Sequence, residues 1–281
     1  MSVRIIAVKP LLISFICLCL LAGLLIPTPI LAVKPVWTYP ASSDLQGLSL
    51  SGNGSHLLSY GAELLLLDRT GKRIWSEARA QKALFLPAQA QFVALSYGNL
   101  VSYDTTGTRL WSRPSRDGLF LDLAASPEGT FVAAVSEHRI LLFDRSGYLK
   151  TQINQTSPLC VGLSSRGSTV GVGTADSVEA YTSSGSRRWS YFTRTAVEQI
   201  RVNPRGGQVV ATTRNRILFL FANGTLQKEV EAEGTLADLQ ISSNGGYVAA
   251  GTGRGEVYLF TSAGEARWRY VGNPVSGLAV S

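Results

Sequence analysis

The chain has 281 residues, with 26 Lys and Arg against 19 Asp and Glu, a formal charge of +7 and 45% hydrophobic residues. Such length and apolar content suffice for one large domain. The positive charges are scattered singly and in pairs, as at Arg187-Arg188 and Arg267/Arg269, and the absence of like-charge blocks argues against a nucleic-acid surface.

In chain order, residues 1–32 read as a segment apart from the fold. Arg4 and Lys9 precede an uncharged apolar run over 11–26, and Pro27 and Pro29 follow it. A positive stretch ahead of an apolar one is the layout of an export signal. Its length is borderline for a membrane span, so an uncleaved anchor, a cleaved signal and a buried helix are three alternatives. The first two place the rest of the chain outside the cytoplasm, on the membrane face or secreted. Removing Arg4 and Lys9 lowers the formal charge from +7 to +5. Cys17 and Cys19 lie inside the run as apolar residues, which leaves Cys160 alone in the remainder and excludes an intrachain disulfide there.

From residue 33 onward one pattern recurs six times. It reads LDRTGKRIW at 67–75, YDTTGTRLW at 103–111, FDRSGYLKT at 143–151, YTSSGSRRW at 181–189, LFANGTLQK at 220–228 and FTSAGEARW at 260–268. Its glycines are Gly71, Gly107, Gly147, Gly185, Gly224 and Gly264, so the steps are 36, 40, 38, 39 and 40 residues. A period of this size, carried by strands and turns, points to a propeller or another repeat array. Glycine suits the positive-φ position of a hairpin turn, and Asp68, Asp104 and Asp144 are placed to accept backbone hydrogen bonds across it.

An earlier turn precedes each frame: SGNG at 51–54, SPEG at 126–129, SSRG at 164–167, NPRG at 203–206 and SSNG at 242–245, with PAQAQ at 87–91 in the second unit. A strand rich in small apolar residues follows it, such as FVAAV at 131–135. Four strands per unit result: an entry strand, the small-residue strand, the strand before the glycine turn and an outer strand after it. The expected fold is therefore an all-β propeller of four-stranded blades. Six full units span 45–80, 83–116, 119–155, 159–195, 197–233 and 236–271.

Residues 36–39 resemble an outer strand without its blade, and 275–280 repeat an entry strand. A closed ring must leave no open edge. Three arrangements fit: six blades with both extra strands laid against them, a seventh two-stranded blade, or part of a longer protein. The preferred reading is a seven-position ring with an incomplete closing blade, in one domain over 33–281.

No residue pattern specifies a catalytic, metal or cofactor site, and none is expected. Cys160 reads as a small buried hydrophobe. His56 and His138 fall in different units without ligand spacing and read as loop residues. Asp117, Asp122, Glu198 and Asp238 flank entry strands, the place where a carbohydrate-active propeller would pair carboxylates. Asp117, Arg194 and Asn273 are candidate contact residues in the loops. Asn53, Asn154 and Asn223 open sequons at expected turns and are candidate glycan sites.

The DRTGKRIW and DTTGTRLW stretches resemble the repeats of pyrroloquinoline-quinone-like propellers, a WD-like repeat grammar found in exported archaeal and bacterial proteins. The resemblance covers residues 36–280. Trp37, Trp75, Trp111, Trp189 and Trp268 match its tryptophan position, and Thr151 and Lys228 depart from it. It implies that the tryptophans pack between adjacent blades. It also brings two kinds of member, quinoprotein dehydrogenases and noncatalytic proteins that assist outer-membrane assembly. The dehydrogenases have eight blades, a calcium ion and often a vicinal disulfide, and this chain has too few units and no cysteine pair. The expected function is thus a noncatalytic binding or scaffold module for an envelope protein or surface polymer. A quinoprotein-like or carbohydrate-active enzyme and a structural surface-layer component are the alternatives.

Overall fold

The computed structural model describes residues 4–7, 37–40, 44–87, 90–116, 118–275 and 277–280. The apolar run over 11–26 and the candidate contact residue Asp117 lie outside them. No helix among the described residues is long and apolar enough to cross a membrane.

Six four-stranded antiparallel sheets follow one another along the chain as propeller blades, spanning 45–78, 82–114, 120–154, 158–192, 199–231 and 236–271. In the first blade the strands are Leu45–Leu50, His56–Gly61, Glu63–Asp68 and Arg73–Ala78, paired in that order. Several second strands are buried almost throughout, as in Phe131–Ser136 and Gln208–Thr213. Such strands sit between neighbouring sheets, where both faces need side chains short enough for close approach. Apolar clusters accordingly run from blade to blade. Leu64 and Leu66 pack with Phe85, Phe92 and Tyr103 of the next unit, and Ala133 and Val135 with Val161, Val170 and Val172.

The two turns of each unit are held as their residues require. Gly71, Gly107 and Gly224 have φ of 84°, 88° and 86°. Asp68 Oδ1 accepts from the Thr70 amide at 2.8 Å and the Lys72 amide at 3.0 Å, and Asp104 and Asp144 repeat the arrangement. At the earlier turn a serine hydroxyl accepts the amide five residues on: Ser51 from His56, Ser126 from Phe131, Ser164 from Thr169 and Ser242 from Tyr247. His56 thus begins a strand instead of standing in a loop, half-buried against Phe85. His138 lies in an exposed turn as expected.

A seventh position lies beyond the sixth blade and before the first, and the sheet arrangement does not close through it. Trp37–Pro40 covers the outer part of the first blade, where Trp37 and Tyr39 pack with Leu65 and Leu67. Arg4–Ala7, within the segment expected to stand apart, pairs antiparallel with Trp37–Pro40, Ala7 opposite Trp37. That register is the one in which Leu66 opposes Trp75 and Ser102 opposes Trp111, so Arg4–Ala7 occupies a third-strand position.

At the other end, the Val275 amide donates to Thr252 O at 3.2 Å, as the Val197 amide does to Thr174 O at 3.0 Å. The Leu278 amide donates to Asp238 Oδ2 at 2.7 Å, as the Val161 amide does to Asp122 Oδ2 at 2.9 Å. Val275 and Leu278 thus hold the positions of entry-strand residues, although 275 and 277–280 are not in strand geometry.

Candidate functional site

Two places concentrate side chains that the fold alone does not consume. The first is the axis, where consecutive entry strands stand side by side. One position of each strand points at the following blade, and its occupants are Gly47, Lys82, Asp122, Cys160, Gln199 and Asp238. Lys82 Nζ lies 2.5 Å from Asp122 Oδ1, and Asp122 Oδ2 takes the Val161 amide. Gln199 Oε1 accepts the Leu239 amide at 3.0 Å while its Nε2 donates to Ala237 O at 2.9 Å. Asp238 faces Arg201 at 3.8 Å and holds the Leu278 amide.

Tyr60 stands opposite Gly47 within the first blade, its ring over that glycine. Burial raises its pKa, and the negative charges of Asp238 and Asp122 raise it further. The hydroxyl stays protonated at neutral pH. Cys160 is buried and its thiol contacts Val197 O at 3.6 Å, with burial first and the Asp122 charge second pushing its pKa up to about 12. A thiol held in that form is a poor nucleophile, in keeping with its reading as a packing residue.

Of the four acidic residues expected near the entry strands, Asp122 and Asp238 are brought to the axis. Glu198 is exposed beside it, its amide bonded to Thr212 O. Asp122 already holds one cation and one backbone amide, and Asp238 one cation, the Leu278 and Leu239 amides and the Gln240 side-chain amide. Groups committed in this way act as ties between blades. The sequence carries a signal for them that pattern reading passed over: Lys82 and Asp122 stand 40 residues apart in chain, one repeat, in strands otherwise apolar.

The second place is the seventh position. Elsewhere the outer-strand tryptophan of one blade lies over the glycine turn of the next. A Cβ built on Gly71 would meet the Trp37 indole at 2.6 Å, on Gly147 the Trp111 indole at 2.5 Å and on Gly224 the Trp189 indole at 2.6 Å, and Trp75 lies likewise over Gly107. The indole N–H of Trp37, Trp111 and Trp189 donates to Arg69 O, Arg145 O and Ala222 O, each two residues before the glycine. Thr151 replaces a tryptophan yet donates to Ser183 O, the same carbonyl in its turn, at 2.6 Å. Lys228 covers Gly264 with its aliphatic stem.

Trp268 departs from the expectation of interblade packing. No described turn lies beyond its blade, and it is 49% exposed, with Tyr270 on the same face 64% exposed. Across the gap, Leu48 and Leu50 of the first blade are 50% and 62% exposed, whereas Leu123, at the position of Leu48 in the third blade, is 1% exposed. Four large apolar side chains thus stand exposed on the two blades that flank the gap, two on an outer strand and two on an entry strand.

The sequon residues divide. Asn53 and Asn223 are exposed in turns, each Oδ1 accepting from the hydroxyl of the sequon's Ser55 or Thr225 at 2.7 and 2.8 Å. Asn154 closes an outer strand, not a turn, and accepts from Gln152. Arg194 and Asn273 are exposed in interblade connections, Arg194 at φ 63°. Among the described residues no group of three or more His, Cys, Asp or Glu is arranged to hold a metal ion. No family model matches the chain, and no curated protein matches it.

Proposed function

We propose that this protein is an exported, noncatalytic binding propeller recognising another envelope protein. The observation that carries the reading is the exposure of Trp268 and Tyr270 on the outer strand of the sixth blade and of Leu48 and Leu50 on the entry strand of the first, the two blades that flank the gap. Large aromatic side chains that keep one polar edge are the residues most enriched at protein interfaces. An apolar patch of this kind on an otherwise mixed surface marks a contact site. Export rests on the charged-then-apolar order of residues 4–26 in the sequence.

The commitment of Asp122 and Asp238 to cations and amides supports binding over the carbohydrate-active reading, which needs carboxylates free to exchange protons with a substrate. The test is a photo-crosslinking residue at position 270 of the full chain in its native membrane fraction, with one at Tyr97 as the exposed control away from the gap. Adducts to a discrete protein from position 270 alone are expected. Equal labelling from both positions, or turnover of a polysaccharide or a quinone by the purified chain, would overturn the proposal.

A further inference from the structure

Cations that lie scattered along the sequence are gathered by the fold at one end of the blades. In each blade the outer strand starts at the glycine turn and runs to the opposite end. The first three residues of these strands supply Arg73, Arg109, Lys150, Arg187, Arg188, Lys228 and Arg267, all exposed, and include no Asp or Glu. The last three supply Arg113 and Arg269 against Glu77, Glu229 and Glu231. In the turns at the glycine end, Arg69, Lys72, Arg145, Arg166 and Arg205 are offset by Asp68, Asp104, Asp144, Glu128 and Glu265, so the strand heads carry the positive excess. At the other end, Arg194, Arg214 and Arg254 stand among Glu137, Asp176, Glu198 and Glu233.

The cations alternate with apolar side chains. Every outer strand of the six blades is bulged just before the tryptophan position, and the extra residues are Ile74, Leu110, Lys150, Arg188, Gln227 and Arg267. A bulged residue leaves the ladder, and the local bend re-aims its side chain. Ile74, Leu110, Tyr148, Leu149 and Leu226 are exposed at this end, with Lys150 Nζ 5.4 Å from the centre of the Tyr148 ring. An anionic polymer engages cations by charge and gains little from aliphatic side chains between them. A lipid interface takes both, headgroups meeting the cations and the acyl boundary the apolar groups.

We propose that the glycine-turn end of this protein docks on the anionic headgroup surface of a membrane, through the cations of the outer-strand heads and the apolar side chains between them. This surface lies at the opposite strand ends from Tyr270, and the inference goes beyond the protein contact proposed above.

The test uses the full chain with vesicles of phosphatidylcholine alone or of equal parts phosphatidylcholine and phosphatidylglycerol. A photo-crosslinking residue replaces Tyr148 at the glycine-turn end or Tyr97 at the other, and lipid adducts are read by mass. The apolar run over 11–26 can carry the chain to any bilayer, so the readout is which end labels and how labelling follows lipid charge. Position 148 should label lipid in the anionic vesicles, position 97 should not, and high salt should weaken the labelling. Each Lys or Arg near such a surface contributes about fivefold. Arg73→Gln with Arg109→Gln and Arg267→Gln should therefore lower the docking constant by about a hundredfold and return labelling at 148 to its level on neutral vesicles. The same loss of charge at the other end, Arg194→Gln with Arg214→Gln and Arg254→Gln, should leave it unchanged.

Equal labelling from both positions, equal labelling on neutral vesicles, or equal losses from the two triple variants would overturn the proposal. So would retention on polyphosphate or an acidic polysaccharide by a chain that gives no lipid adducts, which would assign the cations to a polymer. Protein adducts from position 270 bear on the earlier proposal alone, so the two fail separately.

Discussion

At the glycine turns a single methyl group decides whether two blades can approach. Gly107 combines a φ of 88° with the Trp75 indole lying directly over it, so Gly107→Ala meets both backbone strain and overpacking. A loss of about 2–4 kcal/mol is expected in thermal or denaturant unfolding. Because part of that cost is the indole contact, adding Trp75→Ala should cost less than the sum of the two changes. Gly54, with a φ of 67° and open space around it, provides the contrast, and Gly54→Ala should lose only about 1 kcal/mol. Additive losses at positions 75 and 107 would show that the indole does not seat on the turn.

The aspartates of the same turns titrate in a defined direction. The Thr106 hydroxyl bond first, and backbone amides after it, hold the Asp104 carboxyl below its ordinary value of 3.8, against a smaller opposing effect of burial. A depressed folded-state pKa contributes stability that is present above the unfolded value and lost as pH falls through the folded one. The stability difference between wild type and Asp104→Ala should therefore be constant from pH 7 to about 5 and shrink below about 4, with an exposed site keeping it near 1 kcal/mol. A pH-independent difference would mean that the turn does not use the ionised carboxylate.

Among elements, the entry strands are tied by polar contacts where apolar packing would be expected. Asp122→Ala leaves Lys82 without its partner and the Val161 amide without its acceptor. The expected loss is about 2–3 kcal/mol in denaturant unfolding, whereas Glu198→Ala, at an exposed site, should stay within about 0.5 kcal/mol. The blades were legible in the sequence because each strand comes after a turn whose chemistry is local: serine accepting the amide five residues on, aspartate and glycine closing the hairpin. The axial ties were not, since Lys82 and Asp122 meet only once two blades stand side by side. Trp268 shows the same limit from the other direction. It matches the repeat in every local respect, and its exposure is decided by the neighbouring position in the ring.

On the scale of the whole molecule, the interlock runs one way around the arrangement, each outer strand resting on the turn of the next blade. Trp189 rests on Gly224, so Trp189→Ala should cost about 2–3 kcal/mol, and Trp268→Ala about 0.5 or less. Equal losses would place a covering element over the sixth blade. The seven-position arrangement itself is tested most directly by amide exchange in the unliganded full chain, read at Val275 and Leu278. Their amides are bonded to Thr252 O and Asp238, so both should exchange more slowly than their neighbours at 277, 279 and 280. Asp238→Ala should release Leu278 and leave Val275 protected. Uniformly fast exchange across 275–280, unaltered by Asp238→Ala, would contradict an entry strand at the seventh position.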